Sequence, residues 1–191
     1  MQTINFDYGF GEGRIIDRHT EHYLKSQIQT LENYPASGVS FKDITSLLSV
    51  PGALSIAVAR LSTPLRDVHV DAVAAVESRG FIIGAPLAAD LGTGLILVRK
   101  PGKLPGEIDS FQYSCEYCSG TLEVKGASIR SGGEYVICDD VLATGGTARA
   151  TADYIARKGG VVKAYSFLIE LSQLRGRNLL NGAPIYSLLH F

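Results

Sequence analysis

The sequence predicts an α/β fold, a mainly parallel β-sheet with helices on both faces. Segments of strand character alternate with segments of helical spacing along most of the chain. The central strands are continuously apolar, as expected where both faces of a sheet are covered. At 191 residues, the chain suits one domain with a substantial core. No internal repeat, low-complexity tract or linker divides it. Residues 1–191 are therefore read as a single domain with a small N-terminal addition over about 1–45.

His19 to Asn33 places Leu24, Ile28 and Leu31 at helical spacing and predicts an amphipathic helix. Tyr34-Pro35-Ala36-Ser37-Gly38 breaks it. Val39 to Ile44 is short and alternating, an irregular strand or loop. Pro51 suits the first position of a helix that aligns Leu54, Val58 and Leu61. Val68–Val76 and Leu95–Val98 read as strands, with a helix of small residues over Ile83–Leu91 between them. Lys100 to Gly120 is rich in Pro, Gly, Ser and charge without clear periodicity, and reads as a long loop of functional type. Thr121–Val124 and Tyr135–Cys138 read as strands. Thr147–Lys158 reads as a helix, and Val161–Glu170 and Pro184–Leu189 as the last strands.

Composition narrows the function. Hydrophobic residues make up 46% of the chain and the formal net charge is −1, which argues against a general nucleic-acid binder. No apolar run approaches the roughly 20 residues of a membrane span. The first residues show no basic region followed by an apolar one, so a cytoplasmic location is expected. The odd cysteine count fits a reducing compartment.

The informative stretch is Tyr135-Val-Ile-Cys-Asp-Asp-Val-Leu-Ala-Thr-Gly-Gly-Thr147. An apolar strand runs into Asp139 and Asp140, then into Ala143, Thr144, Gly145, Gly146 and Thr147, and a helix follows. Glycines there let the backbone turn tightly. Its N–H groups and the helix N-terminus can then converge on a phosphate monoester. Carboxylates beside such a cradle suit a ligand with hydroxyls near its phosphate, as in ribose 5-phosphate. They would also stabilise positive charge growing at the anomeric carbon. Taken singly, Gly-Gly is more often an ordinary turn and Asp more often a helix cap. No Gly-Lys-Ser/Thr follows, so this is not a Walker loop.

These residues closely resemble the phosphoribosyl diphosphate (PRPP) motif of the type I phosphoribosyltransferases. The resemblance extends along almost the whole chain to the adenine-specific branch, through "YPASGVSFKDIT", "ESRGFIIGAPLA", "LVRKPGKLPGE", "YSCEYCSGTLEV" and "FLIELSQLRGR" in that order. It implies the type I phosphoribosyltransferase fold, with an N-terminal hood over the base and a flexible catalytic loop at about 100–120. It implies transfer of phosphoribose from PRPP to adenine, giving AMP and diphosphate. Mg2+ is expected mainly on the PRPP diphosphate, with no protein metal ligand named. A homodimer is implied, with no nucleic-acid or membrane partner.

The resemblance also assigns roles to residues whose own chemistry leaves more than one reading open. Arg79 could be a surface cation; the family places its counterpart near the diphosphate and the subunit interface. Arg99, Lys100 and Lys103 could be a solvated charge run, or could meet the diphosphate. Glu116 could be an exposed loop glutamate; the family assigns it the proton at purine N7. Phe41 could be core; the family stacks it on the base, with the main chain of Ser40 and Lys42 at the base edge. Ala143 and Leu171 match walls of that pocket.

The chain departs from the pattern at Ser37, where proline is common, and at Cys118, where glycine is usual. A looser hood and a stiffer loop are the expected consequences. Cys115-Glu-Tyr-Cys118 also admits a zinc or redox reading, although no further ligand pair has fitting spacing. A xanthine or hypoxanthine transferase and a PRPP-sensing regulator compete with the adenine reading. Against the regulator, only one helix precedes Pro35, too little for a helix-turn-helix.

Overall fold

The computed structural model describes residues 16–34, 36–115 and 118–191, with the backbone alone at 114, 115 and 118. Along the chain the elements are α1 (Arg18–Ser26), β1 (Gln29–Glu32), β2 (Ser40–Asp43), α2 (Thr45–Leu48), α3 (Ala53–Ser62), β3 (Ala72–Val76), α4 (Arg79–Leu91) and β4 (Gly94–Val98). Then come β5 (Asp109–Cys115), β6 (Cys118–Val124), β7 (Glu134–Leu142), α5 (Gly146–Arg157), β8 (Val161–Glu170) and β9 (Ile185–His190).

Five strands form one sheet in the order β4-β3-β7-β8-β9, every neighbouring pair parallel. Alternation along each strand feeds two cores. Val73, Val136, Cys138 and Leu168 face a cluster with Leu24, Leu47, Leu61, Ile83 and Leu87 from α1 to α4. Tyr135, Ile137, Tyr165 and Phe167 face the other, with Ile155 of α5 and Phe111 and Leu122 of the β5–β6 hairpin. Ile137 is fully buried, and truncating such a residue to Ala costs about 2–5 kcal/mol. From β3 the chain winds outward through α4 to β4, and then returns to β7 on the other side of β3. The strand order therefore reverses between β3 and β7, and a crevice opens at their carboxyl ends.

Four expectations need correction. The helix expected over 19–33 stops at Ser26, and Gln29–Glu32 pairs antiparallel with Ser40–Asp43. Leu31 thereby faces Phe41 across the ladder, a tertiary pairing that outweighs helical spacing. The helix expected from Ile83 starts at Arg79, and its first turn approaches the site. The aperiodic loop expected over 100–120 is irregular only as far as residue 108, and from Asp109 a hairpin begins: β5 and β6 pair from Asp109↔Val124 to Cys115↔Cys118. Its signal was the alternation Phe111-Gln112-Tyr113-Ser114, with Phe111 buried against α5. Finally, β7 does not end at Cys138. It continues through both aspartates, with Asp139 opposite Phe167 and Leu142 opposite Glu170.

Candidate active site

The crevice holds two adjoining cavities that share Asp139, Val141 and Ala143. The smaller, of about 70 Å³, is formed by the turn from Leu142 through Ala143, Thr144, Gly145, Gly146 and Thr147 into α5. Gly145 is the helix cap at φ +83°, a left-handed conformation suited to glycine. No side chain caps the helix start. Its first N–H groups and the positive end of the helix dipole are thus presented to an anion. The five residues predicted to hold a phosphate are brought together in one cradle.

Asp140 is 5% exposed and Asp139 is half-buried. Burial, and then the neighbouring Asp140 charge, push the Asp139 carboxyl well above the usual range. Burial also raises Asp140, against the opposing pull of Arg79. Arg79 Nε lies 2.8 Å from Asp140 Oδ2, yet no donor is aligned for a hydrogen bond to that oxygen. The contact is an ion pair with acceptor capacity to spare. Ligand hydroxyls that donate to this pair would stabilise its ionised form and draw both values down. Gly80 makes the arrangement possible. A Cβ there would come 2.8 Å from Asp139 Oδ1 and 3.1 Å from the Cys138 carbonyl oxygen.

Arg79 belongs to two parts of the site. Besides pairing with Asp140, its guanidinium stands 5.0 Å from the centre of the Phe41 ring. This contact to the hood was not anticipated. The larger cavity, of about 430 Å³, runs from β2 to the carboxylates, with Phe41, Ala143 and Leu171 among its walls. The side chains of Ser40 and Lys42 are engaged elsewhere. Ser40 Oγ donates to Glu32 Oε1 at 3.1 Å. Lys42 Nζ donates to Thr30 Oγ1 at 2.9 Å and lies 4.7 Å from the centre of the Phe191 ring. Strand alternation thus turns Phe41 to the opposite face from its neighbours.

The three cations of Arg99-Lys-Pro-Gly-Lys103 have separate fates. Arg99 donates through Nε and Nη2 to the two Glu77 oxygens at 3.2 and 3.3 Å. Its Nη1 donates to the Lys103 carbonyl at 3.0 Å. Arg99 therefore shapes the loop and has its charge matched by Glu77. The Arg99 hydrogen bonds hold the Glu77 carboxyl below its ordinary value, against burial and with help from the Lys100 N–H at 2.9 Å. Lys100 reaches the larger cavity, while Lys103 is exposed. Glu123, 7% exposed, accepts from Gly102 N–H at 2.9 Å and ties this loop to the hairpin. Sequence reasoning assigned no part to Glu77, Gly80 or Glu123. Glu77 and Gly80 stood inside the Glu-Ser-Arg-Gly motif, and Glu123 had no local signal.

Glu116 lies outside the described residues. Cys115 and Cys118, which flank it, are backbone partners in the hairpin register. Cys138 is buried in mid-sheet, and burial, followed by the two aspartate charges, raises its thiol well above its ordinary range. That disfavours the thiolate a metal would need.

Residues 47–175 match the family described as Phosphoribosyl transferase domain. An "Adenine phosphoribosyltransferase 2" of Rhizobium etli is 49% identical over 160 residues, 84% of this chain and 87% of its own. The adenine phosphoribosyltransferase of Sorangium cellulosum is 43% identical and covers 100% of this chain and 98% of its own. Among solved structures, that of the Rhodothermus marinus adenine phosphoribosyltransferase superposes with a TM-score of 0.86 at 40% identity, over 92% of this chain and 100% of its own. The Saccharomyces cerevisiae enzyme, complexed with an imino-altritol bisphosphate and adenine, gives 0.82 at 35% identity, over 90% and 99%. A parallel sheet with its acidic pair and anion cradle at the strand ends, matched by sequence over most of its length, places this chain in the phosphoribosyltransferase family, in its adenine phosphoribosyltransferase branch.

Proposed function

We propose that the chain transfers the 5-phosphoribosyl group of PRPP to adenine, releasing diphosphate and forming AMP. One observation carries the reading. A single crevice joins an anion cradle, a carboxylate pair in which Asp140 Oδ2 accepts no hydrogen bond, and a cavity walled by Phe41 and Leu171. That order matches phosphate, ribose and base.

The Ala143–Thr147 backbone holds the 5-phosphate. Asp139 and Asp140 accept from the ribose hydroxyls and stabilise the oxocarbenium-like charge at the anomeric carbon. The bond from that carbon to diphosphate breaks as the bond from purine N9 forms. The base's surplus proton departs from N7, with Glu116 as its acceptor. Phe41 stacks on the purine, and main-chain groups at Ser40 and Lys42 read its edge. An adenine site must accept from the exocyclic amine, which main-chain carbonyls can do. Lys100 and Lys103 meet the leaving diphosphate, and Arg99 holds their loop in shape.

Of the acidic groups lining the crevice, Glu77 is engaged by Arg99, which leaves Asp139 and Asp140. They suit a hard cation that arrives on substrate oxygens and keeps part of its water shell. Magnesium, when bound, neutralises charge on the departing diphosphate. A cytoplasmic homodimer is the setting the family resemblance implies. Leu95 on edge strand β4 and Ile82 on α4, 41% and 40% exposed in the single chain, are apolar groups such a contact would cover.

The test is a single-turnover assay with PRPP and magnesium, offering adenine, hypoxanthine, guanine and xanthine separately. AMP should form from adenine alone, and Glu116→Ala should slow it by about 10²–10⁴-fold. Reaction with a different purine would retire the base assignment and leave the phosphate site standing. PRPP binding without any reaction would favour a regulator.

A further inference from the structure

We infer that Gly176 and Arg177, which line neither cavity, are positioning residues for the ribose 5-phosphate, acting through the cradle backbone. The inference rests on the proposed function for the identity of the ligand. Its geometry stands independently.

The segment after β8 folds back beneath the cradle. A Cβ on Gly176 would collide with the Ala143 carbonyl oxygen and approach the Thr144 carbonyl carbon to 2.9 Å. In the reverse direction, a Cβ on Gly145 would lie 2.7 Å from the Gly176 carbonyl oxygen. Two backbones therefore touch with no side chain between them, and the level of the Gly176 backbone sets the level of Ala143–Gly145.

Arg177 fixes that level. Its Nε and Nη2 donate to the two Glu170 oxygens at 3.1 and 2.6 Å, a bidentate pair. Its Nη1 donates to the Ile185 carbonyl at 3.0 Å. Glu170 is the last residue of β8 and Ile185 the first of β9. The guanidinium thus pins the residue after Gly176 to two strands of the sheet. A second tether reaches α5, where Arg149 Nη1 donates to the Leu179 carbonyl at 3.3 Å. A planar fork is needed for the three directions Arg177 serves, and a lysine cannot supply it. Leu171, a wall of the base cavity, lies on the other side of Glu170 and donates its N–H to the Leu142 carbonyl at 2.9 Å. That bond does not pass through Gly176, so the Leu171 wall should be insulated from changes there, and Ala143, which lines both cavities, is the link between the cradle and the base end.

The experiment compares Gly176→Ala and Arg177→Lys with the parent protein. Their KM values for PRPP and adenine, their kcat and their ribose 5-phosphate affinity by calorimetry are measured. Both variants should weaken ribose 5-phosphate binding and raise the PRPP KM by about tenfold or more, since displacement of a positioned group is costly. The adenine KM should rise much less than the PRPP KM, since the base cavity meets the displaced backbone at Ala143 while its Leu171 wall is held separately. If both KM values move together, or if ribose 5-phosphate binds as tightly as before, the inference is overturned. Should Gly176→Ala fail to fold, Arg177→Lys decides. Failure of both to fold would make the contact purely structural and overturn it too. If the parent shows no transferase activity yet binds ribose 5-phosphate, the functional reading falls while the affinity comparison still tests the positioning role.

Discussion

Asp139 and Asp140 are costly to the ligand-free protein. Their carboxyls are raised mainly by burial, so the folded chain holds protons that the unfolded chain releases. From the unfolded carboxylate value upward, that difference lowers stability as pH rises. Asp139→Asn removes the charge and keeps an acceptor for the Asp140 N–H, which donates to Asp139 Oδ1 at 2.8 Å. The variant is expected to melt at a higher temperature than the parent at neutral pH, while kcat falls by about 10²–10³-fold. Differential scanning calorimetry beside a steady-state assay checks both halves. A lower melting temperature would contradict the burial argument. The signal for the pair was local and readable, with two acids at a strand end before a glycine turn. The partner of Asp140 was not readable. Nothing in the spacing of Arg79 tells that its guanidinium meets both Asp140 and the Phe41 ring, because that depends on how α4 and the β1–β2 hairpin close over β7.

Elements that pack through a continuous apolar run, such as β3, β7 and β8, were legible because burial on both faces leaves a plain mark. Elements held by pairing with a distant partner were not. β1 carried helical spacing, and the β5–β6 hairpin alternated only over a few residues within a polar stretch. Tertiary contacts decide such cases. Phe111 stacks on Tyr154 of α5 at 4.7 Å and 13°, and the Tyr154 hydroxyl donates to Asp109 Oδ2 at 2.7 Å. Burial, and then that bond, raise the phenol far above its ordinary value. Lys158 Nζ reaches the same oxygen at 3.0 Å. The helix that begins at the phosphate cradle therefore also anchors the root of the hairpin. Tyr154→Phe keeps the stack and loses the hydroxyl, which should cost about 0.5–1.5 kcal/mol. Hydrogen exchange should quicken in β5 and β6 more than in β7. Equal quickening in all three would deny the anchor.

Across the molecule, carboxylates of opposite habit oppose the buried pair, Glu77 and Glu170 among them. Glu77 sits below its ordinary value of 4.5 because of Arg99, against burial. Burial would raise Glu170, but hydrogen bonds from Arg177 and Ser187 outweigh it and leave it below 4.5 as well. For both, the unfolded chain takes up protons first as pH falls. Their stabilisation is complete above the unfolded value and is lost as pH drops through the folded one. The two signs together predict a ligand-free protein most stable in mildly acidic solution and weaker on either side. Thermal melts between about pH 2 and 8 would show this dome, and Glu170→Gln should flatten its acid limb. A stability that climbs steadily to pH 8 would refute the opposition.

The β1–β2 hairpin has one more consequence. Ser40 and Lys42 spend their side chains on Glu32, Thr30 and Phe191. On the proposed reading, the letters at these two positions are therefore not the text that selects the base. Neutral drift can rewrite them without altering substrate choice. A new nucleobase preference would instead require a change in hairpin length, which slides the whole edge of peptide groups by a residue. Such a lineage would be expected to diverge by insertion and deletion near 33–39 before it diverged by point substitution.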